Sequence, residues 1–174
     1  MPSRFLVRAA RRDDAPALAA IAIDAWAASA FAELDVGRTD REALRHTFTG
    51  FCQTHDARIL VAEGQDGLLG WGARENGDFH ISDLWVGPSA QGQGVGTALL
   101  EALEVGIAKA AYNFVVLETY AGNVGALRFY QRHGYQIIWR GLKFSASLNY
   151  ELDKVRLARS LDRGTPPDTG LPEA

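Results

Sequence analysis

The chain has 174 residues, which is the length of a single domain with a full hydrophobic core. Its composition, 47% hydrophobic and 22% charged with a formal net charge of −3, is that of an ordinary globular protein and excludes a global basic surface for nucleic acid or an acidic membrane. Its single cysteine, Cys52, excludes an internal disulfide, and neither a signal-peptide pattern nor an apolar stretch of bilayer length is found. We therefore expect a cytoplasmic protein that binds neither nucleic acid nor membrane.

The first half of the chain predicts a strand, two helices and a hairpin. Residues 5–8 are typical of a short strand, and the helix that follows has Pro16 in its first turn. Thr39 and Glu42 form a capping-box pattern that predicts the start of the second helix. The two strands of the hairpin are predicted at residues 58–62 and 68–71.

The second half of the chain alternates strands and helices. The continuous apolar run at residues 114–117 is typical of a strand buried on both faces. A helix beginning at Asn123 is expected to end before Gly134, since glycine commonly follows a helix C-terminus. This order predicts one mixed α/β domain over residues 1–160 and a disordered tail at 161–174. The other predicted elements are strands at 80–86, 135–139 and 145–152, and a helix after the glycines near 94.

A glycine-rich turn lies between the strand predicted at 80–86 and the next helix. Gly92, Gly94 and Gly96 allow positive φ and close approach of the backbone to a ligand. The free N–H groups and the dipole at a helix N-terminus suit a pyrophosphate. The dinucleotide fingerprint is excluded because Thr97 stands where it requires glycine, and the Walker loop because its Gly-Lys-Ser/Thr ending is absent. By itself, such a loop is equally compatible with a simple turn.

Two motifs resemble those of the GNAT family of N-acetyltransferases. The first, similar to the coenzyme A loop of that family, is Gln91-x-x-Gly94-x-Gly96 after Asp83-Leu84-Trp85-Val86. The second is Asn123-x-x-Ala126-x-x-Phe129-Tyr130-x-x-x-Gly134-Tyr135. The resemblance is specific over residues 60–135, and for residues 1–55 it extends only to the order of the elements.

The resemblance implies a fold, a reaction and a cosubstrate. The fold is a single mixed, mostly antiparallel sheet with a splayed central parallel pair and helices on both faces, the acyl-CoA N-acyltransferase fold. The reaction is transfer of acetyl from acetyl-CoA to a primary amine by direct attack in a ternary complex. No cluster of histidine, cysteine and carboxylate has metal-site spacing, so we expect no metal. The coenzyme contacts implied by the resemblance are Leu84, Trp85, Val86, Gln91, Gly92, Gln93, Gly94, Val95, Gly96, Thr97, Asn123 and Tyr130.

The chemistry needs a base and benefits from an acid. An amine attacks a thioester only when neutral, whereas a lysine amine has a pKa of about 10.4 and an α-amine about 8. Tyr130 resembles the family tyrosine that points at the coenzyme A sulfur and protonates the thiolate; simple core packing is the alternative. Glu118 resembles the base of members that acetylate protein N-termini, and a solvated strand-end carboxylate is its alternative. Asp83, on the same strand face as Trp85, is the rival base, and His80 ranks below both.

The sequence leaves other interpretations open. A coenzyme A-binding protein without transfer activity and an acyltransferase for a larger acyl group are the alternatives. The acceptor amine, whether a protein N-terminus, a lysine or a small molecule, is not determined; the resemblance places it against residues 20–51 and 139–150. Cys52, outside both motifs, is interpreted as a core residue. Candidates for a substrate cleft, for core packing or for a homodimer interface are Trp26, Phe31, His46, Trp139, Phe144 and Tyr150.

Overall fold

The fold is built on one seven-stranded sheet. The computed structural model describes residues 4–30, 32, 40–55, 58–75, 77–145 and 149–162. The sheet order is β1-β2-β3-β4-β5-β7-β6, and every neighbouring pair is antiparallel except β4 and β5. The predicted mixed, mostly antiparallel sheet with a central parallel pair is therefore confirmed. The strands are β1 (Phe5–Ala9), β2 (Ile59–Gly64), β3 (Gly67–Arg74), β4 (His80–Val86), β5 (Phe114–Tyr120), β6 (Gln136–Ser145) and β7 (Tyr150–Ser160).

Helices cover both faces of this sheet, as the resemblance implied. The helices are α1 (Ala15–Ala27), α2 (Arg41–Thr54), α3 (Val95–Lys109) and α4 (Val124–Arg132), and short 3-10 turns lie at Arg12–Asp14 and Pro88–Ala90. On one face, α1 and α2 bury a core that includes Leu18, Cys52 and Trp71. On the other face, α3 and α4 bury a core that includes Leu103 and Leu157. Cys52 is thus a core residue, as interpreted from the sequence.

Side-chain caps determine where two of these helices begin. The Asp40 carboxylate accepts hydrogen bonds from the amides of Glu42 and Ala43 at 2.9 and 3.2 Å, so α2 begins immediately after it. Thr39, the other member of the predicted capping box, lies outside the described residues. Asn123 caps α4 in the same way, accepting from the amide of Ala126 at 3.3 Å.

The last hairpin differs from its prediction. Strands were predicted at 135–139 and 145–152, whereas β6 and β7 are longer and their connection lies inside the second predicted strand. The reason is that charged residues in both strands have cross-strand partners: Arg140, for example, forms an ion pair with Asp153 at 2.6 Å. Of the predicted tail, residues from 163 onward lie outside the described part of the chain, and the Leu161 amide donates to the Asn113 carbonyl at 2.7 Å.

Candidate active site

The two parallel strands separate at the centre of the sheet. Strands β4 and β5 are paired only at His80–Val116 and Ile81–Leu117, although each strand continues for several residues beyond these pairs. The C-terminal parts of β4 and β5 therefore enclose a gap that none of the described strands fills. Such an opening beyond the carboxyl ends of parallel strands is a common place for a ligand.

A bulge in β4 sets which side chains face α1 and α2. The pairing of β4 with β3 skips Ser82, so that the alternation of side chains reverses at this residue. Ile81 packs in the core beneath α3. Beyond the bulge, Trp85 packs edge-on against Phe48 of α2, with ring centroids 5.6 Å apart, and its Nε1 donates to Asp83 at 2.9 Å. Asp83 and Trp85 thus share one face, as predicted from alternation.

The glycine loop between β4 and α3 has the conformation of an anion-binding turn. Gly92 and Gly94 have φ of +72° and +82°, and Gly94 precedes α3 without a side-chain cap, which leaves the first amides of that helix without side-chain partners. Gly96 differs from the expectation of positive φ because it lies inside α3. A Cβ at Gly96 would lie 3.5 Å from Phe129 and 3.6 Å from Val86. Glycine at this position therefore keeps the space beside Phe129 and Val86 open, and it is not required for an unusual backbone conformation.

The start of α3 is tied to the end of α4 through a histidine. His133 Nδ1 lies 2.8 Å from the carbonyl of Phe129, and His133 Nε2 lies 3.1 Å from Thr97 Oγ1. In neutral imidazole with the proton on Nδ1, the Thr97 hydroxyl donates to Nε2. Gly134, with φ of +84°, ends the helix as predicted. These contacts link the first turn of α3 to the C-terminal end of α4.

Two cavities meet at the separated strands. The larger, of about 810 Å³, runs from the glycine loop along α4. The smaller, of about 310 Å³, lies against α1 and α2 and contains both candidate carboxylates, Asp83 and Glu118. We call the first the loop groove and the second the inner cavity. Residues that line both are Leu84, Trp85, Asn123, Ala126 and Tyr130.

Tyr130 of α4 stands at this junction. It is buried, and its ring packs against Phe129 and Tyr135 with centroids 5.2 and 5.7 Å away. Among the described residues its hydroxyl has no hydrogen-bond partner, which leaves that group available to a ligand. Burial, together with the nearby charge of Asp83, raises the pKa of Tyr130 above its ordinary value. The phenol therefore stays protonated at neutral pH, the form that a proton donor requires.

Asp83 is the inner-cavity carboxylate whose pKa is raised. Desolvation raises its pKa above the ordinary value, and the hydrogen bond donated by Trp85 offsets this only in part. Burial raises the pKa of Tyr130 and raises that of the Cys52 thiol to about 12, and the charge of Asp83 adds to both shifts. A carboxylate with a raised pKa beside a cavity is a stronger base at neutral pH than a solvated one.

Glu118 has a different environment. Its carboxylate accepts hydrogen bonds from Lys143 Nζ at 3.0 and 3.2 Å and from Arg156 Nε and Nη2 at 3.0 and 2.8 Å. Arg156 in turn lies over the Trp139 ring, 5.6 Å from its centroid. Burial alone would raise the pKa of Glu118, but the hydrogen bonds from Arg156 and Lys143 outweigh it and hold the pKa below its ordinary value. Glu118 is therefore an ionised and weakly basic group.

We expect Glu118→Gln to lower the free energy of unfolding by about 1–2 kcal/mol, because it removes charge-assisted hydrogen bonds that water partly screens. Since the folded pKa of Glu118 is depressed, this stabilisation is present above the ordinary carboxyl value of 4.5 and is lost as pH falls through the folded pKa. Denaturant unfolding at neutral and acidic pH measures it, and the difference should shrink at acidic pH. Asp153→Asn, which breaks the exposed pair with Arg140 on the same hairpin, is the control and should change little. Equal losses in both variants would contradict the assignment.

His80 is the lower-ranked base candidate. It lies at the paired end of β4 and β5, where desolvation lowers its pKa and a contact with the Glu75 carbonyl partly opposes this.

Within the described ranges, no three histidine, cysteine or carboxylate side chains are grouped as a metal site would require. No helix in the described part of the chain is long and apolar enough to cross a membrane.

The structure separates the aromatic residues proposed for an acceptor cleft. Trp26 is buried and lines the inner cavity. His46 is exposed and contacts Glu42 at 3.4 Å, and Phe144 is 56% exposed on the edge strand β6. Neither lines the inner cavity, and Phe31 lies outside the described residues. Of the described candidates, Trp26 lines the inner cavity, whereas His46, Trp139, Phe144 and Tyr150 are not among its lining residues.

Three of the inner-cavity residues that the sequence did not single out are used in the arguments below. Leu44 and Phe48 project from α2, and Lys154 projects from β7. The spacing of four residues between Leu44 and Phe48 places them on one helix face and was the available signal. Lys154 carried no such signal, because its strand was predicted to end before it.

Comparisons with known proteins agree with this architecture. Residues 20–135 match the model of the acetyltransferase (GNAT) family. An uncharacterized N-acetyltransferase from Methanocaldococcus jannaschii is 36% identical over an alignment of 111 residues that covers 58% of this chain and 70% of that protein. A GCN5-related N-acetyltransferase from Rhodopseudomonas palustris matches with a TM-score of 0.68 and 22% identity over 91% of this chain and 97% of the other. A Salmonella typhimurium structure containing acetyl-CoA matches with a TM-score of 0.64 and 20% identity over 96% and 99%.

The sheet is open between two parallel strands and has a glycine loop at the end of one of them. Together with the matches above, this architecture assigns the protein to the coenzyme A-dependent acyltransferases. The motifs around the loop and α4 are those that carried the sequence resemblance. Because the family model covers more than half of the chain, the protein belongs to the acetyltransferase (GNAT) family, as the sequence indicated.

Proposed function

We propose that this enzyme transfers an acetyl group from acetyl-CoA to a primary amine within a ternary complex. The observation that carries the proposal is that the loop groove and the inner cavity meet at Tyr130, whose hydroxyl is free of other partners among the described residues. A thioester in one cavity and an amine in the other would meet at this point. Direct attack then needs no covalent enzyme intermediate, and the buried, weakly acidic Cys52 takes no part.

The loop groove accommodates the coenzyme. Its pyrophosphate would bind the amides of residues 91–97, where Gly92 and Gly94 provide the turn and α3 provides the positive end of its dipole. The pantetheine arm would follow β4 at residues 84–86, which have no β5 partner beyond Ile81. The side chain of Asn123, which lines this groove and caps α4, would lie beside the arm.

The proton transfers are assigned to two residues. The neutral amine attacks the thioester carbonyl, a C–N bond forms and the C–S bond breaks. Asp83 accepts the proton that the amine loses, and Tyr130 donates one to the departing thiolate. Glu118, first among the bases expected from the sequence, is proposed instead to hold Lys143 and Arg156 in place, because its lone pairs are already engaged by both cations.

A turnover screen tests the function as a whole. The protein is incubated with acetyl-CoA and a panel of amines that includes peptides, lysine, amino acids, polyamines and aminoglycosides, and free thiol and acetylated product are measured. We expect product with at least one amine class. Propionyl-CoA and longer acyl donors in parallel test the larger-acyl alternative. Binding of acetyl-CoA without transfer to any amine would favour a non-catalytic binding protein.

We expect Gly94→Val to weaken coenzyme A binding by about tenfold or more, because a β-branched residue at φ of +82° costs on the order of 1–3 kcal/mol and moves the loop. Isothermal titration and the thermal shift caused by coenzyme A measure the effect. The matched control is Gly67→Val, which also has positive φ (+133°) and also has no neighbour within 4 Å, but is the first residue of β3, directly after the β2–β3 turn. The control should lower stability without changing affinity; unchanged affinity in Gly94→Val would show that the loop is only a turn.

A further inference from the structure

The inner cavity has the size and lining of a site for a small amphipathic amine. At about 310 Å³ it is at the lower end of the range for small-molecule pockets. Its apolar wall comes from α1, α2 and the end of β4, and its polar wall from β4, β5 and β7. The side chains that matter here are Trp26, Leu44 and Phe48 on the apolar wall, and Asp83, Glu118 and Lys154 on the polar wall.

Lys154 is the unusual member of the polar wall. It lies opposite Tyr120 in the β5–β7 ladder and is partly buried. Among the residues that the structure describes, its ammonium has neither a hydrogen-bond acceptor nor a carboxylate within ion-pair distance. Desolvation lowers the pKa of Lys154, the attraction of Glu118 opposes this, and the repulsion of Lys143 adds to it. A partly buried ammonium without a counter-ion is unfavourable, and a bound anion would relieve the cost.

The nearest acidic group does not provide that counter-ion. The Glu118 carboxylate is shared between Lys143 and Arg156, with ion-pair distances of 3.0 and 2.8 Å. Three cationic side chains, Lys143, Lys154 and Arg156, thus accompany one carboxylate at this end of the cavity. Asp83, the remaining carboxylate of the lining, is engaged by the indole of Trp85. The end of the cavity at β7 therefore carries excess positive charge.

From this arrangement, and resting on the transferase function proposed above, we infer that the acceptor carries a carboxylate close to its amine and that Lys154 binds this carboxylate. The amine then lies toward Asp83 and Tyr130, and the apolar part of the acceptor packs against Trp26 and Phe48. An apolar α-amino acid has these three features. A polyamine has the opposite charge and would meet repulsion from Lys154. Lys154 is thus a specificity-determining residue.

Matched acceptor pairs test the inference. Acetylation of L-phenylalanine and L-leucine is compared with that of L-phenylalaninamide, L-leucinamide and phenethylamine, all with acetyl-CoA at neutral pH. The amides have less basic amines and are more often neutral, so intrinsic reactivity favours them and a preference for the acid must come from binding. We expect kcat/KM for the acids to exceed that for the amides by about tenfold or more, the size of one charge-assisted hydrogen bond. Tetrapeptide amides that begin Ala-Glu are compared with those that begin Ala-Gln. Faster acetylation of the Ala-Glu peptide would show that a peptide side chain supplies the carboxylate.

Variants connect the preference to the residue. Lys154→Gln should lower the ratio of acid to amide turnover about tenfold or more, chiefly through KM of the acid, while coenzyme A affinity stays unchanged. Lys154→Arg should restore much of the ratio. Lys109→Gln, at the exposed end of α3, removes the same charge outside the cavity and should leave the ratio unchanged.

Two results would overturn the inference. The first is a wild-type enzyme that acetylates amines lacking a carboxylate as well as or better than every acid and acidic peptide in the panel. The second is a preference for acids that Lys154→Gln leaves intact. Transfer to amines lacking a carboxylate in either case preserves the proposed transferase function. Failure to bind acetyl-CoA or to acetylate any amine overturns both the transferase function and the inference about Lys154.

Discussion

Replacing Tyr130 with phenylalanine is expected to lower kcat by about a hundredfold or more, with little change in KM for acetyl-CoA. Phenylalanine preserves the ring that packs against Phe129 and Tyr135 and removes only the hydroxyl. The lost interaction is made when negative charge develops on the departing sulfur, so the transition state is affected more than the bound ground state. Steady-state kinetics with saturating amine measure the effect.

The neighbouring tyrosine provides the control. Tyr135 touches the ring of Tyr130, but its own hydroxyl donates to Glu104 at 2.8 Å in the core rather than facing the cavities. Tyr135→Phe should therefore reduce stability and leave kcat close to that of the wild type. If Tyr130→Phe retains the wild-type rate, or if both variants lose the same activity, Tyr130 is a packing residue.

Replacing Asp83 with asparagine is expected to lower kcat/KM by about a hundredfold to ten-thousandfold if Asp83 accepts the amine proton. Asp83 must be ionised to act as a base, and its pKa is raised by desolvation. Wild-type activity should therefore fall as pH drops through this raised pKa. In Asp83→Asn that acidic limb should disappear, while the limb that belongs to the free amine remains.

Glu118→Gln separates the two candidate bases. Because Lys143 and Arg156 hold the pKa of Glu118 low, its removal should cost less than about tenfold in kcat/KM and should leave the acidic limb in place. A larger loss for Glu118→Gln than for Asp83→Asn would restore Glu118 as the base. Small and equal losses would show that the amine arrives neutral and needs no base from the protein.

The sequence predicted most of the fold because its local signals agree with the tertiary structure. The apolar run at residues 114–117 lies in central strand β5, and Gly134 ends α4. The predicted bounds were wrong at β6 and β7, where charged residues alternate with apolar ones. Arg140, Lys143 and Arg156 are tolerated in these strands because each has a cross-strand carboxylate, and those pairings are visible only once the strands are aligned.

The sequence by itself determined the family, the glycine loop and the position of Tyr130, because these depend on residue types at short, fixed spacings. Tertiary structure alone decided how the environments of the two candidate carboxylates differ. The partners of Glu118 come from positions 25 and 38 residues further along the chain, and the bulge at Ser82 turns Asp83 toward the inner cavity. The role inferred for Lys154 likewise depends on the cavity that it lines. The pKa of an ionisable group depends on desolvation and on nearby charges, and folding brings those charges together from distant parts of the chain.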